Sequence, residues 1–313
     1  MTRVVVTGAG GFIGSALTEA ILYGAPWASE VECVIAVDLQ LHTKREDSRL
    51  LLMEGSVADT ALISRVCEMR PDIVIHLASV PGRTAEQNYS LGRRVNLDAT
   101  ADWLEGLGAQ SHCPRFVYAS SIAVYGENLP ALVDDQTPAL PSLSYGVHKL
   151  ASELLVADAT RRGWVDGCSL RLPGVVARPA QANGLMSAFM SDVFWALADG
   201  RQIKLPVKPA GTAWWISVEA TVNNLLLASK VALDPLHASR VYQMPALYLQ
   251  IQEVVNALVG RFGAEKEGLV QYVPDTAIQK LFASYPPLAT PAADALGLRH
   301  DGDVSRLVNS VFA

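Results

Sequence analysis

Cysteine is scarce in this sequence, basic residues form no run, and no long apolar segment occurs. The four cysteines form no CxxC pair, and no His and Cys residues share the spacing of a zinc site, so neither a disulfide framework nor a metal centre is expected. Free thiols are typical of a reducing compartment, and we expect the protein to be cytoplasmic. No apolar stretch approaches the ~20 residues that a transmembrane helix needs, and the first residues lack the pattern of a secretion signal, so no membrane association is expected.

The charge balance excludes another class of function. Lys and Arg number 25 against 31 Asp and Glu, which gives a formal net charge of −6, and no basic patch is present. Binding of nucleic acid is therefore not expected, because it requires a concentrated positive surface. Half of the 313 residues are hydrophobic and 18% are charged, which is typical of a folded chain with a large buried core.

The first half of the chain contains a regular alternation of short apolar runs and longer helical patterns. The predicted strands cover residues 3–7, 32–37, 50–54, 73–77, 115–119 and 166–172. The predicted helices cover residues 12–23, 59–69, 84–107 and 144–161. Strands that are apolar on both faces are typical of buried parallel sheets. Their alternation with helices predicts an α/β fold with a doubly wound parallel sheet of the Rossmann type.

The pattern changes after Leu172, where prolines become frequent. Helices are predicted at residues 185–197, 218–230, 251–262 and 304–312, and a strand at residues 241–244. We therefore expect a larger sheet domain over residues 1–172, to which residues 218–247 return. Residues 173–217 and 248–313 are expected to form a smaller C-terminal lobe.

A glycine-rich turn joins the first predicted strand to the first predicted helix. Gly8, Gly11 and Gly14 follow a GxxGxxG spacing, and Phe12 and Ile13 open the helix. Glycine permits a sharp turn, a close approach of backbone to a pyrophosphate and tight packing of helix on strand. The helix N-terminus offers N–H groups and a partial positive charge to phosphates. These five residues are predicted to bind a dinucleotide, although such a turn on its own also occurs as a purely structural feature.

Asp38 ends the second predicted strand. A carboxylate at this position accepts hydrogen bonds from the ribose hydroxyls of adenosine and repels a 2′-phosphate, which favours NAD over NADP. The alternative is a solvated aspartate at a strand end. Lys44 and Arg45 follow closely and would suit a phosphate, so NADP stays open as the minority interpretation.

Tyr145 and Lys149 lie four residues apart in a predicted helix, so they share one helix face. A free tyrosine has a pKa of ~10, and a neighbouring ammonium lowers that pKa toward the range that a general base needs. Ser121 lies just past a strand end, where ligands of parallel sheets bind. We predict that Tyr145 is the base, that Lys149 stabilises its phenolate, and that Ser121 orients the substrate oxygen. A Tyr-Lys pair at this spacing is common by chance, but the glycine turn and the position of Ser121 favour the catalytic interpretation.

Together these residues resemble the extended short-chain dehydrogenase/reductase superfamily, which includes the NAD-dependent epimerases and dehydratases. The matching features are the glycine turn, Asp38, His76-Leu77-Ala78-Ser79, Val95-Asn96, Ser121 with Val124-Tyr125-Gly126, and the pair Tyr145 and Lys149. The resemblance covers nearly the whole chain. It implies NAD as cofactor, a C-terminal lobe for the substrate, Ser121, Tyr145 and Lys149 as catalytic triad, and a homodimer. It adds these residues to the expected cofactor contacts, besides Tyr145 and Lys149: Ser56, Val57, Leu77, Ala78, Ser79, Asn96, Pro173 and Val175.

A narrower resemblance concerns the D-erythronate dehydrogenase group of sugar-acid dehydrogenases. It is carried by the segments Val133 to Pro138, Arg161 to Gly163, Leu170 to Pro173, Val176 to Pro179 and Trp214 to Ser217. It implies oxidation of the C2 hydroxyl of a four-carbon acid to a 2-oxo acid with NAD. Two positions depart from the pattern. Ser56 replaces an Asp near the adenine, so the adenine contacts are expected to come mainly from backbone groups. Ala213 replaces an expected basic residue, which indicates a different acid or a neutral substrate.

A sugar acid needs a cation or several N–H donors for its carboxylate. Arg178 is the first candidate cation and Arg83 the second, and a surface ion pair is the alternative for each. The other candidate substrate residues are Ser79, Ser121, Asn183 and Trp214. For the last two, turn chemistry and packing are equally compatible interpretations.

Two other functions stay open. A nucleotide-sugar epimerase or dehydratase of the same superfamily would take a sugar as substrate, hold NAD tightly and regenerate it within each turnover. A non-catalytic NAD-sensing protein is less compatible with the sequence, because such proteins usually lack the tyrosine or the lysine, and this chain has both Tyr145 and Lys149.

Overall fold

The computed structural model describes residues 2–41, 46–179, 186–233 and 240–313. The strands in chain order are β1 (Thr2–Thr7), β2 (Val31–Asp38), β3 (Leu50–Glu54), β4 (Ile73–His76), β5 (Arg115–Ser121), β6 (Asp166–Leu172), β7 (Gly174–Val176), β8 (Ile203–Leu205), β9 (Thr212–Ser217), β10 (Val241–Gln243), β11 (Leu247–Gln250) and β12 (Val270–Tyr272). The helices are α1 (Phe12–Tyr23), α2 (Thr60–Glu68), α3 (Gly82–Gln87), α4 (Tyr89–Arg93), α5 (Ala99–Ala109), α6 (Ser144–Arg161), α7 (Phe189–Ala198), α8 (Val218–Ala228), α9 (Ile251–Phe262), α10 (Thr276–Phe282), α11 (Pro291–Ala295) and α12 (Val304–Val311).

A seven-stranded sheet in the order β10-β6-β5-β4-β1-β2-β3 confirms the predicted doubly wound α/β fold. β1 pairs in parallel with β2 on one side and with β4 on the other, so that Val5 lies beside both Ile35 and Val74. All three side chains are fully buried, as the apolar strand patterns predict. The chain runs outward through β2 and β3 and then returns to the other side of β1. The carboxyl ends of β1 and β4 therefore meet at a topological switch point, where open α/β sheets bind ligands.

The predicted long helix over residues 84–107 is interrupted. Asn88 ends α3 and caps α4, because its side-chain oxygen accepts the backbone N–H of Leu91. A short π-helical turn over Arg94–Asp98 then leads into α5. The prediction of one continuous helix was wrong because an asparagine side chain competes with the helical backbone bonds.

The first of two compact units contains residues 1–124, 143–171 and 222–242. It holds β1 to β5 and the helices α1 to α6. Its core includes Val5, Val74, Trp103, Phe116 and Val156. The residues of the predicted catalytic triad all belong to this unit.

The second unit contains residues 125–142, 172–221 and 243–313. It holds a three-stranded sheet, β11-β9-β7, and a two-stranded sheet, β12-β8. Its core includes Phe194, Leu205, Trp215, Val254 and Leu307.

The division differs from the expected boundaries at residues 125–142, which the sequence pattern grouped with the first domain. The Val133 N–H donates to Pro287 O at 3.0 Å, and the Ala289 N–H donates to Val133 O at 2.9 Å. This backbone pairing joins the segment to residues more than 150 positions later, which no local pattern reveals. The expected helix at residues 185–197 begins at Phe189, while residue 185 lies outside the described ranges.

No helix in the described part of the chain combines the length and the apolar composition that crossing a bilayer requires. The four cysteines, Cys33, Cys67, Cys113 and Cys168, are all free thiols. Across the described ranges, no group of three or more His, Cys, Asp or Glu side chains is arranged to hold a metal ion.

Candidate active site

The glycine turn brings three backbone segments into contact. Gly8 has a φ of +72°, and a Cβ placed on it would lie 2.8 Å from the backbone nitrogen of Ala78, just after β4. A Cβ on Gly14, in the first turns of α1, would lie 2.0 Å from Gly8 O. Neither position can accept a side chain without displacing backbone, because real Cβ contacts are longer than 3.0 Å. The turn therefore packs α1 directly onto the ends of β1 and β4.

The N-terminus of α1 is suited to an anion. Gly11 is the N-cap residue, no side chain caps the helix, and its first turn contains no acidic residue. Phe12 and Ile13, which open the helix, are half-buried. A helix start without acidic residues keeps its partial positive charge available to a phosphate. Together with the Cβ-free cradle at Gly8 and Gly14, this geometry fits the diphosphate of a dinucleotide.

Asp38, at the carboxyl end of β2, holds the turn in place. Its Oδ2 accepts the Gly10 N–H at 2.9 Å, and its Oδ1 accepts the Leu39 N–H at 2.7 Å. Each carboxylate oxygen can accept a further hydrogen bond, so ribose hydroxyls can be bound as well. Lys44 and Arg45, the basis of the minority NADP interpretation, lie outside the described ranges.

The predicted adenine-side residues follow β3. Ser56 Oγ accepts the Ala58 N–H at 3.2 Å, and the Val57 carbonyl accepts the indole N–H of Trp103 at 3.0 Å. The Val57 side chain is buried in the core of the first unit. Ser56 Oγ is thus engaged in the turn, and the supply of adenine contacts by backbone groups stays a prediction.

Hydrogen bonds fix both ends of the segment over residues 77–80, which follows β4. The Leu77 N–H donates to Thr7 O, and the Ala78 N–H donates to Thr7 Oγ1, both at 3.2 Å. The buried Asn96 side chain accepts the Val80 N–H at 2.8 Å and donates to Val80 O at 3.1 Å. These bonds hold residues 77–80 beside the glycine turn. Among the predicted cofactor contacts, Leu77 and Ala78 are half-buried and Ser79 is exposed.

The predicted catalytic residues come together in the first unit. Ser121 ends β5, and its Oγ accepts the Ala123 N–H at 3.2 Å. Tyr145 lies in the first turn of α6, and Lys149 lies one turn later. Lys149 Nζ is 5.7 Å from the centre of the Tyr145 ring and donates to Ala119 O, on β5, at 2.7 Å. The ammonium therefore joins the end of β5 to the helix face that carries the tyrosine.

Helix α3 packs beside Tyr145. A Cβ placed on Gly82, the first residue of α3, would lie 3.6 Å from Tyr145 Cβ, which is ordinary van der Waals contact. Glu86, near the end of α3, accepts a hydrogen bond from the Ser144 backbone N–H at the start of α6. Arg83 follows Gly82 and is exposed. Its position next to Gly82, which lies close to Tyr145, keeps Arg83 a candidate for substrate binding.

Burial controls the ionisation of this site. Burial lowers the pKa of Lys149 to about 7, and the charge of Glu153 opposes that change. Burial, together with the charge of Lys149, lowers the pKa of His76 to about 3, so this histidine is neutral at physiological pH. Burial raises the pKa of Tyr118 above its ordinary value. Lys149 is thus the buried group here whose charge changes near neutral pH.

The sequence reasoning missed Glu153, a buried polar residue close to Lys149. Glu153 follows Lys149 by four residues, and its buried carboxylate contacts Ser120 and Arg171. The neutral His76 pairs its Nδ1 with Thr7 Oγ1 at 3.0 Å. The helical spacing of Tyr145, Lys149 and Glu153 was a detectable signal, but the partners of Glu153 come from strands far away in sequence.

The remaining predicted residues belong to the second unit. Pro173 is buried and Val175 lies on β7. The Arg178 backbone N–H donates to Ser191 Oγ at 3.0 Å, and its carbonyl accepts the indole N–H of Trp195 at 2.7 Å. Asn183 falls outside the described residues.

Trp214 requires a correction, because its side chain is fully buried. Its indole N–H donates to Pro286 O at 2.7 Å, and its ring stacks on Tyr285 at 4.7 Å between centroids. A ring that solvent does not reach and whose single donor is satisfied is a packing residue. The expectation that Trp214 lines a substrate pocket is therefore wrong.

A Rossmann sheet with a glycine turn at its switch point and a lysine beside a tyrosine at the neighbouring strand end defines a dinucleotide-dependent oxidoreductase. The profile of the NAD dependent epimerase/dehydratase family matches residues 4–231, and the chain belongs to this family.

Two relatives and one solved structure extend this result. D-erythronate dehydrogenase from Cupriavidus necator is 33% identical over 310 residues, which covers 97% of this chain and 95% of the relative. D-erythronate dehydrogenase from Haemophilus influenzae is 27% identical over 308 residues, which covers 98% and 97%. The crystal structure of a nucleoside-diphosphate-sugar epimerase from Agrobacterium tumefaciens matches with a TM-score of 0.91 at 26% identity, over 98% of this chain and 92% of that one. The expected family, NAD as the cofactor and an NAD-dependent dehydrogenase as the enzyme type are thereby confirmed.

Proposed function

We propose that this enzyme oxidises a secondary hydroxyl of a small sugar acid with NAD, and that the reacting group is the C2 hydroxyl of a D-erythronate-like acid. The observation that carries the chemistry is the buried Lys149 ammonium, 5.7 Å from the Tyr145 ring and bonded to the end of β5. The substrate class rests on the similarity, along nearly the full chain, to two D-erythronate dehydrogenases. The product is the corresponding 2-oxo acid.

The proposed roles of the side chains follow from their chemistry. Tyr145, as phenolate, takes the proton of the substrate hydroxyl. Lys149, as ammonium, stabilises that phenolate and binds the nicotinamide ribose. Ser121 forms a hydrogen bond with the reacting oxygen and orients it. NAD, when bound, accepts the hydride that leaves the same carbon.

The cofactor is proposed to lie across the switch point. The glycine turn and the N-terminus of α1 would hold the diphosphate, and Asp38 would bind the adenosine ribose. The further contacts remain those that the sequence resemblance implies: Ser56, Val57, Leu77, Ala78, Ser79, Asn96, Pro173 and Val175. Asp38 would disfavour the 2′-phosphate of NADP.

The carboxylate of the substrate needs a cation. Arg83 is the better supported candidate, because it is exposed and follows Gly82, which lies close to Tyr145. Arg178 and Asn183 remain predicted substrate residues, as does Ser79. Ala213 is fully buried within β9. It contributes no charge, so the selectivity for the acid depends on the other residues.

The decisive assay is a panel of C4 to C6 sugar acids with NAD or NADP, followed by the absorbance of NADH. Net NADH with at least one acid supports the proposal. Tyr145→Phe is expected to lose turnover while NAD still binds in calorimetry, since only the phenol oxygen is removed. Tyr89→Phe, on the exposed tyrosine of α4, is the matched control and should keep full activity. Activity of Tyr145→Phe at the wild-type level would overturn the mechanism.

The alternative is an epimerase or dehydratase acting on a nucleotide sugar. The 26% identity to the Agrobacterium tumefaciens epimerase, with a TM-score of 0.91, supports it. The same assay separates the two functions. Turnover of a UDP-sugar without net NADH favours the epimerase, and NAD binding without turnover of any acid or sugar favours a non-catalytic NAD sensor.

The assembly is proposed to be a homodimer. Helices α4 and α6 of the first unit expose the apolar side chains Tyr89, Leu91, Val147 and Leu154. A second copy of the chain would bury these side chains. Leu154→Glu should convert the dimer to a monomer in light scattering after gel filtration, and a wild-type monomer would contradict the proposal. A cytoplasmic location, inferred from the free cysteines, also remains a prediction, to be checked by cell fractionation.

A further inference from the structure

A buried carboxylate lies directly behind the Tyr145 and Lys149 pair. Glu153 follows Lys149 by one helical turn on α6, and its side chain is 2% exposed. Glu153 Oε1 accepts the Ser120 hydroxyl at 2.5 Å and Arg171 Nε at 2.9 Å. Its Oε2 accepts the second guanidinium contact from Arg171 at 2.8 Å. Both oxygens are engaged, so the carboxylate is held in one orientation.

Among the described residues, two tyrosine rings and a histidine also lie close to Lys149. The Tyr118 ring lies 4.7 Å from Nζ, and the Tyr145 ring lies 5.7 Å away. His76, from β4, is neutral because burial lowers its pKa. Burial also lowers the pKa of Lys149 itself to about 7, while the charge of Glu153 raises it. Glu153 thus opposes the loss of a charge that the phenolate requires.

The same carboxylate also reaches the strand end. Ser120, which donates to Glu153, stands on β5 between Ala119 and Ser121. Ala119 supplies the carbonyl that accepts Lys149 Nζ, and Ser121 is the proposed substrate contact. Movement of Ser120 would therefore disturb its two neighbours together.

We propose that Glu153, held in place by Arg171, is a positioning residue that keeps Lys149 charged and fixes the end of β5 that carries Ala119, Ser120 and Ser121. The proposal rests on the proposed function, in which charged Lys149 supports the Tyr145 phenolate. Its physical basis is that a charge pair in a low-dielectric interior acts more strongly than in water.

The first experiment uses Glu153→Gln, which keeps the shape of the side chain and removes its charge. The pH profile of kcat is expected to move toward acid, because the charge of Glu153 no longer raises the pKa of Lys149. A shift of about one unit is expected, which corresponds to a tenfold change in the ratio of charged to neutral amine. The plateau of kcat should fall, and KM for the sugar acid should change by less than kcat. Glu153→Asp restores the charge and should recover the wild-type profile in part.

The matched control is Asp166→Asn. Asp166 begins β6, whereas Arg171 lies near its other end, and Asp166 also accepts two contacts from one arginine, Arg115, at 2.7 and 3.0 Å. Loss of this pair is expected to lower thermal stability without moving the pH profile. If Glu153→Gln lowers stability in the same way and leaves the profile unmoved, the pair is structural and the proposal is wrong.

A second measurement reports the amine directly. NMR of protein labelled with ¹⁵N-lysine follows the titration of Lys149 Nζ, and Lys149→Met identifies its signal. The midpoint should be lower in Glu153→Gln than in wild type, and equal midpoints would overturn the proposal. This readout needs no turnover, so it stays informative if Tyr145→Phe shows that the proposed function fails.

Should Glu153→Gln not fold, Glu153→Gln combined with Arg171→Met replaces both charges of the buried pair, which proteins often tolerate. A smaller acid shift is expected in that variant, because the loss of the Arg171 cation offsets part of the loss of the Glu153 charge that acts on Lys149. An unshifted profile in it would contradict the proposal.

Discussion

The Asp38 carboxylate accepts a hydrogen bond from the Gly10 backbone N–H at 2.9 Å and thereby ties the end of β2 to the glycine turn. Its second oxygen accepts the Leu39 N–H at 2.7 Å. The residue that is proposed to bind the adenosine ribose therefore also shapes the loop around the diphosphate. One substitution at this position should change both cofactor affinity and cofactor choice.

In Asp38→Asn one carbonyl acceptor remains, but the negative charge is lost. We expect KM for NAD to rise roughly tenfold, since hydrogen bonds to charged groups contribute about 1.5–3 kcal/mol. The preference for NAD over NADP should fall, because the carboxylate charge that repels the 2′-phosphate is removed. The measurement is kcat/KM with each cofactor. Asp59→Asn, at the N-cap of α2, is the control and should leave the cofactor ratio unchanged.

The contact between Gly14 and Gly8 leads to a second prediction. A Cβ on Gly14 would lie 2.0 Å from Gly8 O, so Gly14→Ala must push α1 away from β1. We expect a loss of about 1–3 kcal/mol in the free energy of unfolding, as for other overpacked sites, and weaker NAD binding. Gly24→Ala, where the added Cβ would meet Ala20 O at 3.6 Å, should be tolerated. Urea unfolding and NAD titration of both variants test this. Normal NAD binding by Gly14→Ala would contradict the proposal that the close contact of Gly14 with Gly8 shapes the diphosphate site.

The burial of Lys149 predicts a pH dependence of stability. Its folded pKa is about 7, below the ~10.4 of an unfolded lysine. Between these values the unfolded chain binds more protons than the folded chain, so the contribution of Lys149 to the free energy of unfolding rises with pH. The buried thiols of Cys67 and Cys168, with pKa values raised to about 12, act in the opposite direction above ~8.5. Between pH 7 and ~8.5 the contribution of Lys149 to the free energy of unfolding is therefore not opposed by that of the thiols.

Lys149→Met isolates this effect, because methionine retains an unbranched apolar stem. From pH 7 to ~8.5 the wild type should gain stability relative to the variant, with a slope that approaches about 1.4 kcal/mol per pH unit. Chemical unfolding of both proteins at several pH values gives the difference. Parallel curves would show that Lys149 is already charged in the folded protein throughout this window.

Arg83 provides the test of the substrate class. Arg83 is an exposed residue of α3 and follows Gly82, which lies close to Tyr145. We expect Arg83→Gln to raise KM for a sugar acid roughly tenfold or more, from the loss of a charge-assisted hydrogen bond. KM for a neutral polyol should not change. Arg93→Gln, on the exposed arginine of α4, is the control.

The corresponding Arg178→Gln variant decides between the two candidates. An effect confined to Arg178→Gln would indicate that Arg178, and not Arg83, binds the substrate carboxylate. No effect in either variant would argue against an acidic substrate.

Trp214 should affect stability and leave substrate binding unchanged. Trp214→Phe removes the hydrogen bond to Pro286 O and part of the stack on Tyr285. The expected loss is about 1–3 kcal/mol of unfolding free energy, the cost of leaving a buried acceptor unpaired. KM should stay within a factor of two at temperatures where the variant is folded. A large rise in KM with unchanged thermal stability would contradict the packing role.

The sequence determined the sheet, the glycine turn and the spacing of Tyr145 and Lys149, because these features are local. Apolar runs identify strands buried on both faces, and the glycine spacing requires close backbone contacts. A four-residue spacing places two side chains on one face of a helix wherever that helix packs.

Tertiary structure decided the features that depend on distant partners. It assigned residues 125–142 to the second unit through backbone bonds to Pro287 and Ala289. It buried Trp214 and placed Glu153 between Ser120 and Arg171. Burial and charge pairing are properties of the assembled environment, and the chain segments that create that environment are separated by tens of residues. The ionisation of Lys149 follows from that environment and not from any pattern of neighbouring residues.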